Sequence, residues 1–139
     1  MIIGRDEQDT EALDLDRWSA LARDVLADEG YGGELGLTFV DEQAITALNA
    51  EHMGYDQPTD VLAFPLDDEP DAELLGDVVV CPAVARLNAD GRDAELDDEL
   101  ALLVVHGVLH VVGHDHAEPE EKRVMQERER HHLGRSHLP

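Results

Sequence analysis

The segment from Ala101 to Gly113, ALLVVHGVLHVVG, constrains this chain more than any other. It is apolar around its whole circumference apart from two histidines, so it reads as a helix buried on most sides. His106 and His110 are four residues apart, which at 3.6 residues per turn puts both imidazoles on one face, one turn above the other. Gly113 falls on the same face and lets the chain leave the helix in a left-handed turn, after which His116 can swing back toward the pair. A single histidine in an apolar helix is usually a satisfied core residue. Several buried together without partners would cost roughly 1 to 3 kcal/mol each, so His106, His110 and His116 read as ligands to one metal ion. Three neutral imidazoles suit zinc and leave its fourth tetrahedral position open, as a catalytic rather than a structural site requires.

The spacing H-x-x-x-H-x-x-G-x-x-H is shared with the metzincin peptidases, where a glutamate after the first histidine acts as general base. Here that position is Gly107, so the ordinary peptidase mechanism lacks its proton acceptor. Two acids stand near the ligands: Asp115 beside His116, and Glu99 on the histidine face two turns earlier. Either could accept an imidazole N–H and so orient a ligand, or serve only as a solvated or capping group. His52, Thr59 and Asp60 are candidates to line a cleft near the metal, the alternative being a helix-end histidine followed by a turn.

Around this helix the periodicities predict a layered domain. Trp18, Leu21, Ala22, Val25 and Leu26 recur at helical spacing, giving a helix over 15–29 that Gly30 ends. Leu35, Leu37 and Phe39 alternate as a strand, and Asp41 caps a helix carrying Ile45 and Leu48 that closes at Gly54. Asp60 to Phe64 reads as a strand stopped by Pro65, Asp67 to Glu73 as an acidic loop, and Gly76 to Cys81 as a strand ended by Pro82. Further helices are expected over 83–89, 97–112 and 119–132, the last with Pro119 in its first turn. The result is a single α+β domain over 1–139, a small mixed β-sheet packed with about five helices, with the metal site on a buried helix.

Charge narrows the partners. Acidic residues outnumber basic ones by 33 to 10, for a net charge of −23, which excludes a broad basic platform for nucleic acid. The excess fits a solvated acidic coat, suited to a salty cytoplasm, better than a specific acidic docking surface. Lys122, Arg123, Arg128, Arg130 and Arg135 gather near the C-terminus with His131, His132 and His137, and read as a solvated helix end. No run of about 18 apolar residues and no leader-like segment occurs, so a soluble, cytoplasmic protein with no membrane role is expected. Cys81 has no second cysteine to pair with and reads as core.

HGVLHVVGHDH, followed by Glu120, Glu121, Met125 and Glu129, strongly resembles the signature of the YbeY family of bacterial endoribonucleases. Pro58 to Pro65, PTDVLAFP, looks like that family's PT-D/N-VLSFP strand, and Leu75 to Val79 like its next strand. The resemblance covers about residues 35 to 130. It implies one zinc per chain on His106, His110 and His116, and single-strand-specific cleavage of RNA in small-subunit ribosomal RNA maturation and ribosome quality control. It also implies ribosomal RNA or the ribosome as partner, with a small-subunit ribosomal protein as a further one. Two positions depart from the pattern. Met53 stands where some members carry an arginine that serves activity, and His114 stands where the family usually has tyrosine, adding a rival to His116 as third ligand. With so acidic a chain, affinity for RNA would rest on the metal, on a local patch such as the C-terminal arginines, or on a protein partner. Attack on the phosphorus by water or by the ribose 2′-hydroxyl is equally compatible with these residues. Two other readings stay open: a zinc peptidase-like hydrolase, and a non-catalytic ribosome-assembly factor with a structural zinc.

Overall fold

A computed structural model of the chain describes residues 1–114 and 118–136. The elements run β1 (Ile2–Glu7), α1 (Leu15–Glu29), β2 (Glu34–Val40), α2 (Glu42–Met53), β3 (Val61–Pro65), β4 (Leu74–Val80), α3 (Pro82–Gly91), α4 (Leu96–Val111) and α5 (Pro119–Ser136). The local signals act as expected. Asp14 accepts from the Arg17 N–H to start α1, and Gly30, at φ 91°, ends it in the left-handed region. Asp41 does the same for α2 through the Ala44 N–H, with Gly54 as its stop.

The strands form one mixed sheet in the order β1-β2-β4-β3, the first three parallel and β3 antiparallel to β4. The fold is therefore α+β with a four-stranded sheet and five helices. Strand β1 departs from the sequence expectation, which assigned no element before the helix over 15–29. It is an edge strand with only two leading apolar residues, held by pairing Ile2 to Glu7 against Leu35 to Val40, so its existence depends on a partner rather than on its own pattern. Pro82 opens α3 in addition to ending the preceding strand.

Alternation splits the sheet between two cores. Leu35, Leu37, Phe39, Val78 and Val80 face the larger one, shared with Trp18 of α1 and with Leu100, Val104, Val108 and Leu109 of α4. Val40, Leu62, Val79 and Cys81 face the smaller one with Ile45 of α2. Each fully buried Leu or Val side chain stabilises the fold by roughly 1.5 to 3 kcal/mol, which explains why a helix as apolar as α4 takes the central place. From Glu99 to Val111 every residue of α4 is buried except Leu102, His106 and His110, a half-buried line at four-residue spacing. Gly107 lets this helix press onto the sheet: a Cβ there would lie 2.5 Å from Val78 Cγ1 and 3.4 Å from Val61 Cγ2.

Candidate metal centre and its cleft

The half-buried line on α4 brings His106 and His110 to one face, with ring centroids 6.5 Å apart and planes at 80°. His106 Nδ1 lies 2.7 Å from Glu129 Oε1 of α5. A carboxylate only accepts, so Nδ1 carries the proton and Nε2 keeps its lone pair as a metal donor. Two imidazoles on one face, one of them already oriented by a carboxylate, form a donor set that fits zinc. Gly113, at φ 102°, turns the chain out of the helix as its position suggested, and the His114 N–H bonds the Leu109 carbonyl at 3.0 Å. His116 and Asp115, expected as third ligand and orienting acid, lie outside the described residues.

The other expected residues separate. Thr59 lines a cleft of about 330 Å³ together with His106, Gly107, His110, Met53 and Asn49. Asp60 lines a neighbouring hollow with His106 and Glu99. His52 is not among the side chains lining the cleft. Its ring stands edge-on to Phe64 at 4.9 Å, so the last turn of α2 directs it to apolar packing. Glu99 is buried but engaged elsewhere: it pairs with Arg92 and accepts from Asn88 Nδ2 at 3.4 Å, and Asn88 also donates to Asp60 at 3.0 Å. Glu129, rather than Glu99, is the acid on His106. Its sequence signal was its place on the inward face of the last helix, four residues after the buried Met125. Asn49 was also missed. It is 5% exposed, and its Nδ2 donates to the Gln57 carbonyl at 2.9 Å, fixing the loop before Thr59. A polar residue four after the core Ile45 is the trace it left in the sequence.

His114 is committed to the fold. Its Nε2 lies 2.9 Å from Glu29 Oε1, and the other oxygen of Glu29 takes Arg128 Nε at 2.8 Å and His132 Nε2 at 2.9 Å. Burial raises the Glu29 carboxyl, but the hydrogen bonds from His114, His132 and Arg128 together hold it below the usual carboxylate range. Part of the C-terminal cluster is therefore not a solvated helix end. Arg128, His131 and His132 dock onto Asp28 and Glu29, where acids at the C-terminus of α1 would otherwise oppose the helix dipole. Among the described residues, Asp28, His131 and His132 bring three ligand-type atoms within 4.8 Å of one another, a group that could hold a metal ion. It spans α1 and α5, unlike the site expected on α4, and Arg128 shares the same Asp28 oxygen at 3.1 Å.

Comparison with known proteins agrees with this architecture. The family model described as Endoribonuclease YbeY matches residues 4–137. A protein named Endoribonuclease YbeY from Frankia casuarinae is 46% identical over 129 residues, covering 82% of this chain and 64% of its own length. Namesakes from Carboxydothermus hydrogenoformans and Salinispora tropica are 47% and 45% identical, covering 75% and 81% of this chain and 73% and 82% of their own lengths. The chain thus spans slightly less than two thirds of the Frankia relative. The solution structure of a protein from Thermotoga maritima superposes with a TM-score of 0.73 at 29% identity, covering 98% of this chain and 89% of that one. No helix among the described residues is long and apolar enough to cross a membrane. With a matching family model along nearly its whole length and relatives at this identity, the chain belongs to the YbeY endoribonuclease family.

Proposed function

We propose that this chain is a metal-dependent endoribonuclease, one catalytic domain that cuts single-stranded RNA in the maturation of small-subunit ribosomal RNA. The observation that carries the reading is the pair His106 and His110 on the one half-buried line of α4, opening on the cleft of Thr59 and Met53. His116, two residues beyond His114, is the third zinc ligand in this reading. Bound there, zinc would supply Lewis-acid stabilisation of charge on a scissile phosphoryl group. The protein's own residues do the rest. Glu129 holds the Nδ1 proton of His106 and fixes the ring. Gly107 lets α4 sit close on the sheet beside the cleft, and Asn49 holds the loop that leads to Thr59.

The peptidase alternative is disfavoured because Gly107 offers no carboxylate to take a proton from a metal-bound water, and the site has little room for one. A glutamate at position 107 would begin with a Cβ at 2.5 Å from Val78, inside the packed contact between helix and sheet. Two of the C-terminal arginines that could serve an RNA patch are engaged within the protein: Arg123 is paired with Glu120 and Glu127, and Arg128 with Asp28 and Glu29. The test joins metal content to cleavage. Elemental analysis of the purified protein should give one zinc per chain, and a labelled single-stranded RNA should be cut by wild type but not by His110→Ala or the chelated protein. Zinc without cutting by the free protein or in the presence of ribosomes would favour the assembly-factor reading, and absence of metal would overturn the proposal.

A further inference from the structure

A second hollow, of about 380 Å³, shares His106 and Val61 with the cleft and opens between α4 and α5. Its size falls in the ~300–1,000 Å³ range of small-ligand sites. The half-buried Val61 and Leu102 give it an apolar surface over the buried Leu103 and Met125, and Lys122 stands exposed among its lining residues. Its acids are engaged by protein partners: Glu99 by Arg92, Asp60 by Asn88, and Glu129 by His106.

Lys122 is singular in the charge inventory. It is the chain's one lysine. Arg17, Arg86, Arg92, Arg123 and Arg128 each pair with carboxylates. Lys122 has no carboxylate within ion-pair distance among the described residues, and none of the described arginines lines the hollow or the cleft beside His106. A chain of charge −23 with one cation beside a proposed metal ligand that pairs with no carboxylate among the described residues has, at this place, a local attraction for an anion that its overall field opposes.

We infer that this hollow is a nucleotide subsite for single-stranded RNA, the base lying on the apolar surface and the Lys122 ammonium contacting its phosphate. Unstacked bases of single strands are bound in this way, by apolar or stacking contact inward and cation contact on the backbone. Asp60 and Glu129 favour this orientation, because they carry carboxylates beside an amide and an imidazole rather than a guanidinium and so repel phosphate from the interior toward Lys122. The subsite rests on the nuclease reading for its substrate class, but it can be tested by binding alone.

The probe is a fluorescein-labelled, 2′-O-methylated oligoadenylate, which keeps base and phosphate while resisting cleavage, titrated against wild type, Lys122→Gln and Lys122→Arg over a range of salt. Lys122 is exposed, so neither variant endangers the fold. Lys122→Gln should weaken binding several-fold and lower the salt slope by about 0.7, the share of one single-strand phosphate contact, with Lys122→Arg restoring both. The methyl resonances of Leu102, Leu103 and Met125 should shift on addition of the oligonucleotide. With a cleavable oligoadenylate, Lys122→Gln should raise KM and leave kcat in place. An unchanged slope in Lys122→Gln, shifts confined to the cleft around Thr59, or no binding by wild type at any salt would overturn the subsite. Binding as described with no cutting by zinc-loaded wild type would overturn the nuclease reading and leave the subsite standing.

Discussion

Glu129 Oε1 and His106 Nδ1 lie 2.7 Å apart, tying α5 to the metal face of α4. The carboxylate is 15% exposed and the imidazole 32%, so the contact is sheltered from water on one side while the ring stays open to the cleft. Glu129→Gln keeps the shape but can present an N–H to Nδ1, releasing the ring's tautomer. Zinc affinity should fall about 10- to 100-fold, as it does when an acid behind a metal-bound histidine is removed. Competition against a chromogenic chelator measures it, and an unchanged affinity would show that Glu129 does not orient the ligand.

Gly107 is required by contact rather than by a turn. Gly107→Ala should gain up to about 1 kcal/mol of helix propensity yet lose about 1 to 3 kcal/mol to overpacking against Val78 Cγ1, for a net fall in stability. Adding Val78→Ala to that variant should relieve part of the overpacking, so that the double variant is less destabilised than the sum of the two single changes. Urea unfolding of the two single variants and the double variant tests the coupling; additive losses would mean that Gly107 and Val78 do not meet.

The Glu29 carboxyl is depressed in the folded protein by His114, His132 and Arg128. A depressed acid stabilises the fold above the ordinary glutamate value of 4.5, and that contribution is lost as pH falls through the lower, folded value. Glu29→Gln should therefore destabilise at neutral pH, by about 2 kcal/mol for a hydrogen-bonded charge, and flatten the acid limb below pH 4.5. Thermal melts of both proteins from neutral to acidic pH give the comparison; parallel curves would remove Glu29 from the linkage.

Asn49→Ala deletes the donor to the Gln57 carbonyl beneath the loop that lines the cleft. A cost of about 1 to 2 kcal/mol is expected from leaving that partner unsatisfied, with KM for RNA raised more than kcat is lowered, because the loop shapes the cleft and holds no proposed metal ligand. Equal KM values for the variant and wild type would detach the loop from substrate binding.

Local chemistry wrote much of this protein into its sequence. Asp14, Gly30, Asp41 and Gly54 mark helix ends because caps act over a few residues, and the spacing of His106 and His110 sets their common face because α-helical geometry is fixed. What required the tertiary structure were relations between segments far apart in the chain. Strand β1 exists by its pairing with β2, with too few apolar residues to announce itself. The acid behind His106 is Glu129 rather than Glu99, since packing of α5 on α4 chooses which carboxylate arrives while Arg92 draws the other away. Within the C-terminal cluster that reads as a wet helix end, Arg128, His131 and His132 are docked onto Asp28 and Glu29, because helix-end acids on α1 and cations on α5 neutralise each other only when the fold brings them together. Periodicity determines which face a residue occupies. What stands opposite that face is decided by packing, whose energies depend on contacts that the chain makes only once it is closed.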